Sequence, residues 1–287
     1  MVTIKRLKDC TLQDILSAWN RGFEGYFVQM EFSYEQFIKR MAQEELSAEH
    51  SILLYDGRMP VGIVLNGIRE VHGEKQAWNG GTGIAPEYRG RGLGRLAIAE
   101  CLRIYEQEGV KKATLEAIQD NHSAIHLYEK MRYKLVGRLM NYVCKNPILL
   151  KDTSSSYRAE FRAPAEIARL SFYDEHIPWQ TQRKSIPNGE GLVMIDESGK
   201  ECAYAIFQRE WQEDGRLPAV YLYQLRIDAE AKLEAAKVLL ESVMQLKASS
   251  LYVVNLPLGN DVMVEALKEI GFEETIGQVW MERIVVD

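Results

Sequence analysis

The sequence predicts an α/β protein of the α+β kind, built from two domains in which helices flank a central sheet. The length of 287 residues suits two domains, because single domains usually run to about 100–150 residues. Apolar segments with the periodicity of strands alternate with segments that have the periodicity of helices. The second half of the chain repeats the element order of the first half, which indicates an internal duplication.

Six strands and four helices are predicted in the first half. The strands are expected near 2–7, 50–56, 60–69, 77–84, 112–118 and 133–144, and the helices near 11–20, 33–47, 91–108 and 121–131. The pair Asp56-Gly57 separates two apolar segments and predicts a hairpin turn, because glycine readily adopts the positive φ that such a turn needs.

The duplication is visible in the spacing of turn residues. Ser198-Gly199 in the second half corresponds to Asp56-Gly57 in the first. Pro86 and Asp228 each lie 29 residues after the glycine of their own turn, and each falls between a predicted strand and a predicted helix. Where the first half has a cluster of glycines, the second has residues 229–235, which form an ordinary helix start with two glutamates.

A linker is predicted between the two halves. Asn146-Pro147 and the polar run at 151–156 have the composition of a connecting segment. The predicted organisation is therefore a first domain at 1–146, a linker at 147–157 and a second domain at 158–287.

Composition and charge exclude several classes of protein. The hydrophobic share of 46% and charged share of 26% are typical of globular chains. The amino terminus lacks the apolar core of a signal peptide, and no stretch of roughly 18 apolar residues occurs, so we expect a cytoplasmic protein that does not bind membranes. The four cysteines have no CxxC spacing and are interpreted as reduced thiols rather than zinc ligands or disulfides.

The charge is distributed unevenly between the halves. The whole chain has a formal net charge of -6, which argues against general binding of nucleic acid. Residues 1–145 carry 20 basic and 18 acidic residues, a net +2, whereas the remainder carries 15 and 23, a net -8. The first half therefore suits an anionic ligand, although the acidic second half is explained equally well by solubility.

One segment predicts a phosphate site. Residues 82–94 lead from a strand through a glycine turn into an amphipathic helix, and the glycines allow several backbone N–H groups to point at one anion. A turn without a ligand is the alternative interpretation. A P-loop is excluded because no Gly-Lys-Ser/Thr follows. The pattern Gly92-x-Gly94-x-x-Ala97 also fits a dinucleotide fingerprint, but residues 86–91 intervene between it and the strand, which makes that interpretation the second choice.

The same residues resemble a known family. The pattern Arg89-x-x-Gly92-x-Gly94 is similar to the acetyl-CoA signature of the GCN5-related N-acetyltransferases, the GNAT superfamily. The similarity continues through residues 115–117 and 121–130, and departs at 131–133, where the family usually has a glycine before the aromatic residue. The whole chain resembles a tandem GNAT protein with a degenerate second domain. The resemblance implies a mixed, mostly antiparallel sheet in each domain and one cofactor site per chain.

The resemblance also implies acetyl-CoA as co-substrate and a set of residues that hold it, without a metal. The backbone of Thr82, Gly83 and Ile84 would pair with the pantetheine arm in a gap between the strands at 77–84 and 112–118, and the pyrophosphate would bind the amides of Arg89, Gly90, Arg91, Gly92, Leu93, Gly94 and Arg95. Asn121 would contact the pantetheine from the other side. Its position before an apolar-periodic run also predicts a helix N-cap, and both roles are compatible.

Two residues are the expected catalytic groups. By resemblance, Tyr128 is the general acid that protonates the departing thiolate, although its spacing with Ala124, Leu127 and Met131 also fits a core face. Glu116 is the candidate general base, directly or through a water. An exposed strand glutamate without a catalytic role is the alternative for Glu116.

The acceptor side is predicted from the glycine-punctuated loop after the first helix. Phe23, Glu24 and Tyr26 are candidate substrate-binding residues, with core packing as the alternative. His122 and His126 lack a third ligand and are interpreted as surface residues.

The predicted function is direct transfer of an acetyl group from acetyl-CoA to a primary amine of a small molecule or peptide. Nucleic acid and membranes are not expected as partners, and a homodimer is left open. A non-catalytic acyl-CoA sensor and, less favoured, a dinucleotide-binding oxidoreductase are the alternative functions.

Overall fold

The structure is a computed structural model that describes residues 2–147, 156–259 and 261–285. The described chain divides into two compact units. The first unit consists of residues 1–136 and 279–287, and the second of residues 137–278. Most of the predicted linker at 147–157 lies outside the described residues.

The first unit contains five complete strands and four helices. The strands are β1 (Val2–Arg6), β2 (Ile52–Asp56), β3 (Met59–Val71), β4 (Glu74–Ile84) and β5 (Lys112–Ile118). The helices are α1 (Leu12–Gly22), α2 (Tyr34–Gln43), α3 (Leu93–Gln107) and α4 (His122–Lys130). These bounds lie within a few residues of the prediction except at α2, which ends before Glu45, where the backbone turns to a φ of 53°.

Polar side chains fix the starts of three of these helices. Thr11 accepts a hydrogen bond from the N–H of Asp14, and Ser33 and Gln36 form a reciprocal capping box at α2. Asn121 caps α4. Such caps each contribute about 1 kcal/mol by satisfying N–H groups that the helix leaves free.

The sheet of the first unit is mixed and mostly antiparallel. Strands β1 to β4 pair antiparallel in sequence order, and β5 pairs parallel with β4. The buried side chains of the sheet pack against α3, whose core face includes Ala97, Ile98 and Cys101.

The second unit repeats this arrangement. Its complete strands are β7 (Arg158–Arg162), β8 (Glu190–Ile195), β9 (Glu201–Glu210), β10 (Ala219–Ile227) and β11 (Ser250–Pro257), and it also contains most of β6 (Lys134–Lys145) and the first half of β12 (Glu273–Ile284). Its helices are α5 (Pro164–Ile167), α6 (Leu233–Met244) and α7 (Asp261–Ile270). Strands β7 to β10 pair antiparallel in sequence order and β10 pairs parallel with β11, as β4 does with β5. The predicted fold class is confirmed.

The last strand of each repeat is exchanged. Strand β6 ends the first repeat in sequence, but its residues 137–145 belong to the second unit, where β6 pairs antiparallel with β11. The end of β12 belongs instead to the first unit. There Lys112 Nζ lies 3.2 Å from Glu282 Oε1, and the N–H of Val285 donates to the carbonyl of Lys111 at 2.9 Å.

The compact units therefore differ from the predicted domain boundaries. A division at 146 follows the order of the repeats, whereas the packing places 137–145 with the second unit and 279–285 with the first. Hydrophobic periodicity identifies both final strands but does not say which sheet each one joins, since either strand fits the same edge. Within the described ranges, no helix has the length and hydropathy that crossing a membrane requires.

We expect Met281→Ala to destabilise the first unit by about 2–5 kcal/mol, because it removes a fully buried side chain of that core. Ile284→Ala on the same strand is the matched control, since Ile284 is 62% exposed. Denaturant unfolding of the full chain measures both changes. Equal and small losses for the two variants would contradict the role of the carboxyl-terminal strand in the first core.

Candidate active site

The site begins where two parallel strands separate. Strand β4 pairs with β5 from Gln76–Lys112 to Asn79–Leu115, and the pairing ends there although β4 continues to Ile84. Beyond Asn79, the edge of β4 that faces β5 is open. An open strand edge offers backbone N–H and C=O groups to an extended ligand.

A bulge at Gly80 and Gly81 marks the same point. Asn79 stabilises it, because its Oδ1 accepts from the N–H of Gly81 at 3.0 Å and its Nδ2 donates to Thr82 Oγ1 at 2.8 Å. Gly81 has a φ of 155°, and a Cβ there would lie 2.8 Å from the ring of Trp19. Only glycine fits both the conformation and the space.

The glycine loop has the geometry of an anion nest. Gly90 and Gly92 have φ values of 72° and 80°, and a Cβ at either position would meet no atom within 4 Å. Glycine is therefore required at these two positions by the backbone conformation and not by a lack of space. Helix α3 begins directly after Gly92 without a side-chain cap, so its first N–H groups remain available for an anion.

The Arg89 side chain connects this loop to the acceptor side. Its guanidinium donates to the carbonyls of Ile84 at 2.9 Å, Gly22 at 3.1 Å and Glu24 at 2.9 Å. Arg89 thus joins the end of β4 to the end of α1, and its side chain is occupied by these carbonyls. The predicted contact of its backbone amide with pyrophosphate remains a prediction.

Tyr128 lies close to the open edge of β4. Its side chain is 7% exposed and lies near that of Thr82. Burial raises the pKa of Tyr128 to about 12, while the side chain of Thr82 acts in the opposite direction. The hydroxyl is therefore protonated throughout the neutral range.

Asn121 performs two structural tasks. Its Oδ1 accepts from the N–H of Ala124 at 3.2 Å and from Ser123 Oγ at 3.0 Å, which confirms the N-cap. The same side chain lies near the hydroxyl of Tyr26 and lowers its pKa, which burial raises by more. Asn121 thus connects the start of α4 to the predicted acceptor loop.

Glu116 is a half-buried carboxyl group with one satisfied oxygen. Trp78 Nε1 donates to its Oε2 at 2.7 Å, while Oε1 is buried with no hydrogen-bond partner among the described residues. Burial raises the pKa of Glu116 to about 7; the bond from Trp78 lowers it and the charge of Glu44 raises it. A carboxyl group near half ionisation at neutral pH is suited to accept a proton.

A cavity of about 470 Å³ adjoins the predicted acceptor residues. It is lined by Asn20, Arg21, Phe23, Glu24, Gly25, Tyr26, Val28, Gln29, Met30 and Glu31. All three predicted acceptor residues lie in this set. Phe23 also packs on Trp19 with ring centroids 4.2 Å apart, so core packing and pocket lining coexist at Phe23.

Sequence reasoning did not find Trp78 or the side chain of Thr82. The structure brings the side chain of Tyr128 near those of Thr82 and Tyr26, and that of Tyr26 near Asn121, while Glu116 is held separately by Trp78. An alternating strand pattern shows only that Trp78 faces a core. The partner of its N–H depends on a residue 38 positions away.

The predicted histidines lie apart from these groups. His126 Nδ1 lies 3.8 Å from Glu129 Oε2 on the exposed face of α4. In the described ranges, no group of three His, Cys, Asp or Glu side chains is placed to hold a metal.

The second unit has the same strand separation, filled by its own side chains. Pairing of β10 with β11 ends at Leu222–Val253, and the next residue, Tyr223, is bulged. Gln224 is 5% exposed, and its Nε2 donates to the carbonyl of Thr181 at 2.7 Å. The space left there is about 20 Å³, roughly that of one water molecule.

The loop before α6 also differs from its counterpart in the first unit. Lys200 Nζ lies 3.2 Å from Asp228 Oδ1 and 2.8 Å from Glu230 Oε2, and Glu234 occupies the first turn of α6. Carboxylates at this helix start disfavour a pyrophosphate by like-charge repulsion.

A mixed sheet that opens between two parallel strands, beside a glycine nest at a helix start, defines the fold of the GNAT acyltransferases. Residues 12–133, which lie in the first unit, match the model of the acetyltransferase (GNAT) family. The predicted resemblance to the superfamily and to its tandem proteins is confirmed. The family match and the fold support acyl transfer in general. No curated protein matches the chain significantly.

Solved structures share the fold over the whole chain. A tandem GNAT protein from the clavulanic acid biosynthesis pathway is 13% identical, with a TM-score of 0.67 and coverage of 100% of this chain and 99% of its own. A GCN5-related N-acetyltransferase from Sphaerobacter thermophilus is 12% identical, with a TM-score of 0.68 and coverage of 100% and 96%.

A third structure is much longer than this chain. It contains the glucosamine N-acetyltransferase region of a fungal multi-domain β-N-acetylglucosaminidase, is 12% identical and has a TM-score of 0.72. The match covers 99% of this chain but 38% of that protein. At these identities the similarity concerns the fold alone.

Proposed function

We propose that the first unit transfers an acetyl group from acetyl-CoA directly to a primary amine. The nearness of Tyr128 to Thr82, whose side chain lowers the pKa of the phenol, carries this proposal. Thr82 lies on the open edge of β4, where a pantetheine arm would pair with the backbone of Thr82, Gly83 and Ile84. A thioester delivered along that edge would reach Tyr128.

The residues present fit the phosphate end of acetyl-CoA. The φ values at Gly90 and Gly92 and the uncapped start of α3 supply N–H donors of the kind that bind pyrophosphate. The proposed donors are the amides of residues 89–95, with Asn121 on the opposite side of the pantetheine. Acetyl-CoA would supply the acetyl group and a thiolate leaving group.

The proposed chemistry needs one base and one acid. An alkylamine with a pKa near 10.4 is neutral in only about one molecule in 2,500 at pH 7, a cost of roughly 4.6 kcal/mol, so a base is valuable. Glu116 takes a proton from the ammonium, and the amine nitrogen attacks the thioester carbonyl. The C–S bond breaks, and Tyr128 gives its proton to the sulfur. The attacking nitrogen then loses its second proton, which restores the phenol of Tyr128 and leaves a neutral amide and a free thiol.

The proposed acceptor site is the cavity at residues 20–31. Phe23 and Tyr26 offer aromatic faces, and Glu24 offers a carboxylate to a cationic acceptor. Tyr26 lines this cavity and also lies near Asn121 and Tyr128, since Asn121 lowers the pKa of Tyr26 and the charge of Tyr26 raises that of Tyr128.

A non-catalytic acyl-CoA sensor is the rival function. The Oε1 of Glu116, which has no partner among the described residues, favours an enzyme, because a buried carboxyl oxygen without a partner costs stability and a catalytic role accounts for its being kept. Release of free thiol from acetyl-CoA in the presence of mixed polyamines, amino acids and peptide amines separates the two functions. A dinucleotide oxidoreductase would instead be stabilised thermally by NADH.

We expect one acetyl-CoA molecule to bind per chain, because Gln224 fills the corresponding gap of the second unit and acidic residues surround the start of α6. Titration calorimetry measures the stoichiometry. A second bound molecule would overturn the proposal that only the first unit holds the co-substrate.

We expect Gly92→Ala to weaken acetyl-CoA binding about tenfold, because a side chain at a φ of 80° costs about 1–2 kcal/mol and the loop relaxes away from the nest. Gly109→Ala is the matched control, since Gly109 has a φ of 70°, similar open space and a position after the other end of α3. Both variants should lose similar thermal stability. Equal losses of affinity would remove the glycine loop from the binding site.

We expect Tyr128→Phe to lower kcat about a hundredfold while the Kd for acetyl-CoA changes little, because a positioned general acid contributes about 10²–10⁴-fold. Tyr133→Phe is the control, as Tyr133 is buried in the same core with its ring 6.0 Å from that of Tyr128. Steady-state kinetics and calorimetry give the two constants. An unchanged kcat in Tyr128→Phe would exclude Tyr128 as the acid.

A further inference from the structure

Trp78 is a buried residue of the first unit that the proposed mechanism has not used. It lies on β4 and is 2% exposed, and its Nε1 donates to Glu116 Oε2 at 2.7 Å. This is a short bond from a neutral donor to a carboxyl group that titrates near neutrality. Such a bond is stronger when the acceptor is ionised.

The bond distinguishes the two carboxyl oxygens of Glu116. Oε2 is held by the indole, while Oε1 is buried without a partner among the described residues. A carboxyl group on a glutamate rotates freely unless something fixes it, because its last torsion has a broad preference. The indole therefore selects Oε1 as the oxygen that remains free for a proton.

The indole is itself held in place by the bulge of β4. A Cβ at Gly80 would lie 2.7 Å from Cζ3 of Trp78, so the bulged backbone packs directly on the ring. The carbonyl of Gly80 accepts from Arg40 Nη2 at 2.6 Å, which anchors the bulge to α2. Trp78 thus contacts the bulge through its ring and Glu116 through its N–H.

One further charged group acts on Glu116 from another element. Glu44 follows the end of α2, and its charge raises the pKa of Glu116. Glu44 is in turn paired with Arg40, whose Nε lies 2.9 Å from Glu44 Oε2. The indole N–H from β4 and the carboxylate beyond α2 therefore favour opposite protonation states of Glu116.

We propose that Trp78 is a positioning residue for the acyl transfer, which holds Glu116 by Oε2 so that Oε1 takes the proton of the acceptor amine. This inference rests on the proposed function, in which Glu116 is the base. Trp78 itself touches neither substrate, and its effect passes entirely through Glu116.

The inference predicts opposite pH shifts for two variants. Because the base must be ionised, kcat/KM of the wild type falls as pH drops through the Glu116 pKa of about 7. Trp78→Phe removes the donor to the ionised form, so this midpoint should rise by about 1–2 pH units. Glu44→Gln removes the neighbouring negative charge, so the midpoint should fall.

A double-mutant cycle separates positioning from simple damage. Trp78→Phe should lower kcat in the wild type but have no further effect in a Glu116→Gln background, because its influence passes through that carboxylate. Trp179→Phe in the second unit controls for loss of a buried indole and should leave the midpoint unchanged. An unshifted midpoint in Trp78→Phe, or the same loss in both backgrounds, would overturn the inference.

A measurement on the native protein covers the case in which Trp78→Phe does not fold. The ¹H–¹⁵N signal of the Trp78 indole should titrate near pH 7 in the wild type and should not do so in Glu116→Gln. A signal that is constant with pH, or that titrates equally in Glu116→Gln, would overturn the inference. Absence of acetyl transfer by the wild type would instead reject the proposed function, whatever the indole signal does.

Discussion

The separation of β4 from β5 is the constraint on which the rest of the first unit depends. Backbone N–H and C=O groups lose free energy when they are buried without partners, so a sheet cannot open in its interior without a replacement for the missing ladder. The bulge at Gly80 and Gly81 supplies part of that replacement through Asn79 and Arg40. The remaining open edge lies beside Tyr128. Fold and candidate site therefore share one cause, since the gap that weakens the sheet also creates room for an extended ligand.

The second unit meets the same constraint and resolves it internally. Its parallel pairing also ends one residue before a bulge, but Gln224 fills the gap and bonds with Thr181 and Tyr204. A buried amide whose donors and acceptors have protein partners stabilises the opening without a ligand. The duplicated fold thus accommodates different residues at this point, because topology requires that the gap be filled but does not specify what fills it. The fold alone does not determine function, which depends on the residues at this point.

The sequence was sufficient for the elements, the fold class and the glycine nest, because these depend on local periodicity and on glycine conformation. It was insufficient to predict that residues 137–145 of β6 pack in the second unit and that the end of β12 packs in the first. Two strands with equivalent patterns can complete either sheet. The sequence also missed the bond of Trp78 to Glu116, 38 positions apart, and the bonds of Arg89 to the carbonyls of Gly22 and Glu24, 67 and 65 positions apart. Such partners are fixed by tertiary packing, and no local pattern encodes them.

One physical effect, burial, acts on the pKa values of both proposed catalytic groups. Burial disfavours the charged form of both Glu116 and Tyr128 and therefore raises both pKa values. For the carboxyl group the rise ends near 7, where a base is partly ionised and strong enough to take a proton. For the phenol the rise ends near 12, where the proton is retained until negative charge develops beside it. Burial thus leaves the proposed acid protonated and the proposed base partly ionised, because the two groups start from reference pKa values that lie on opposite sides of neutrality.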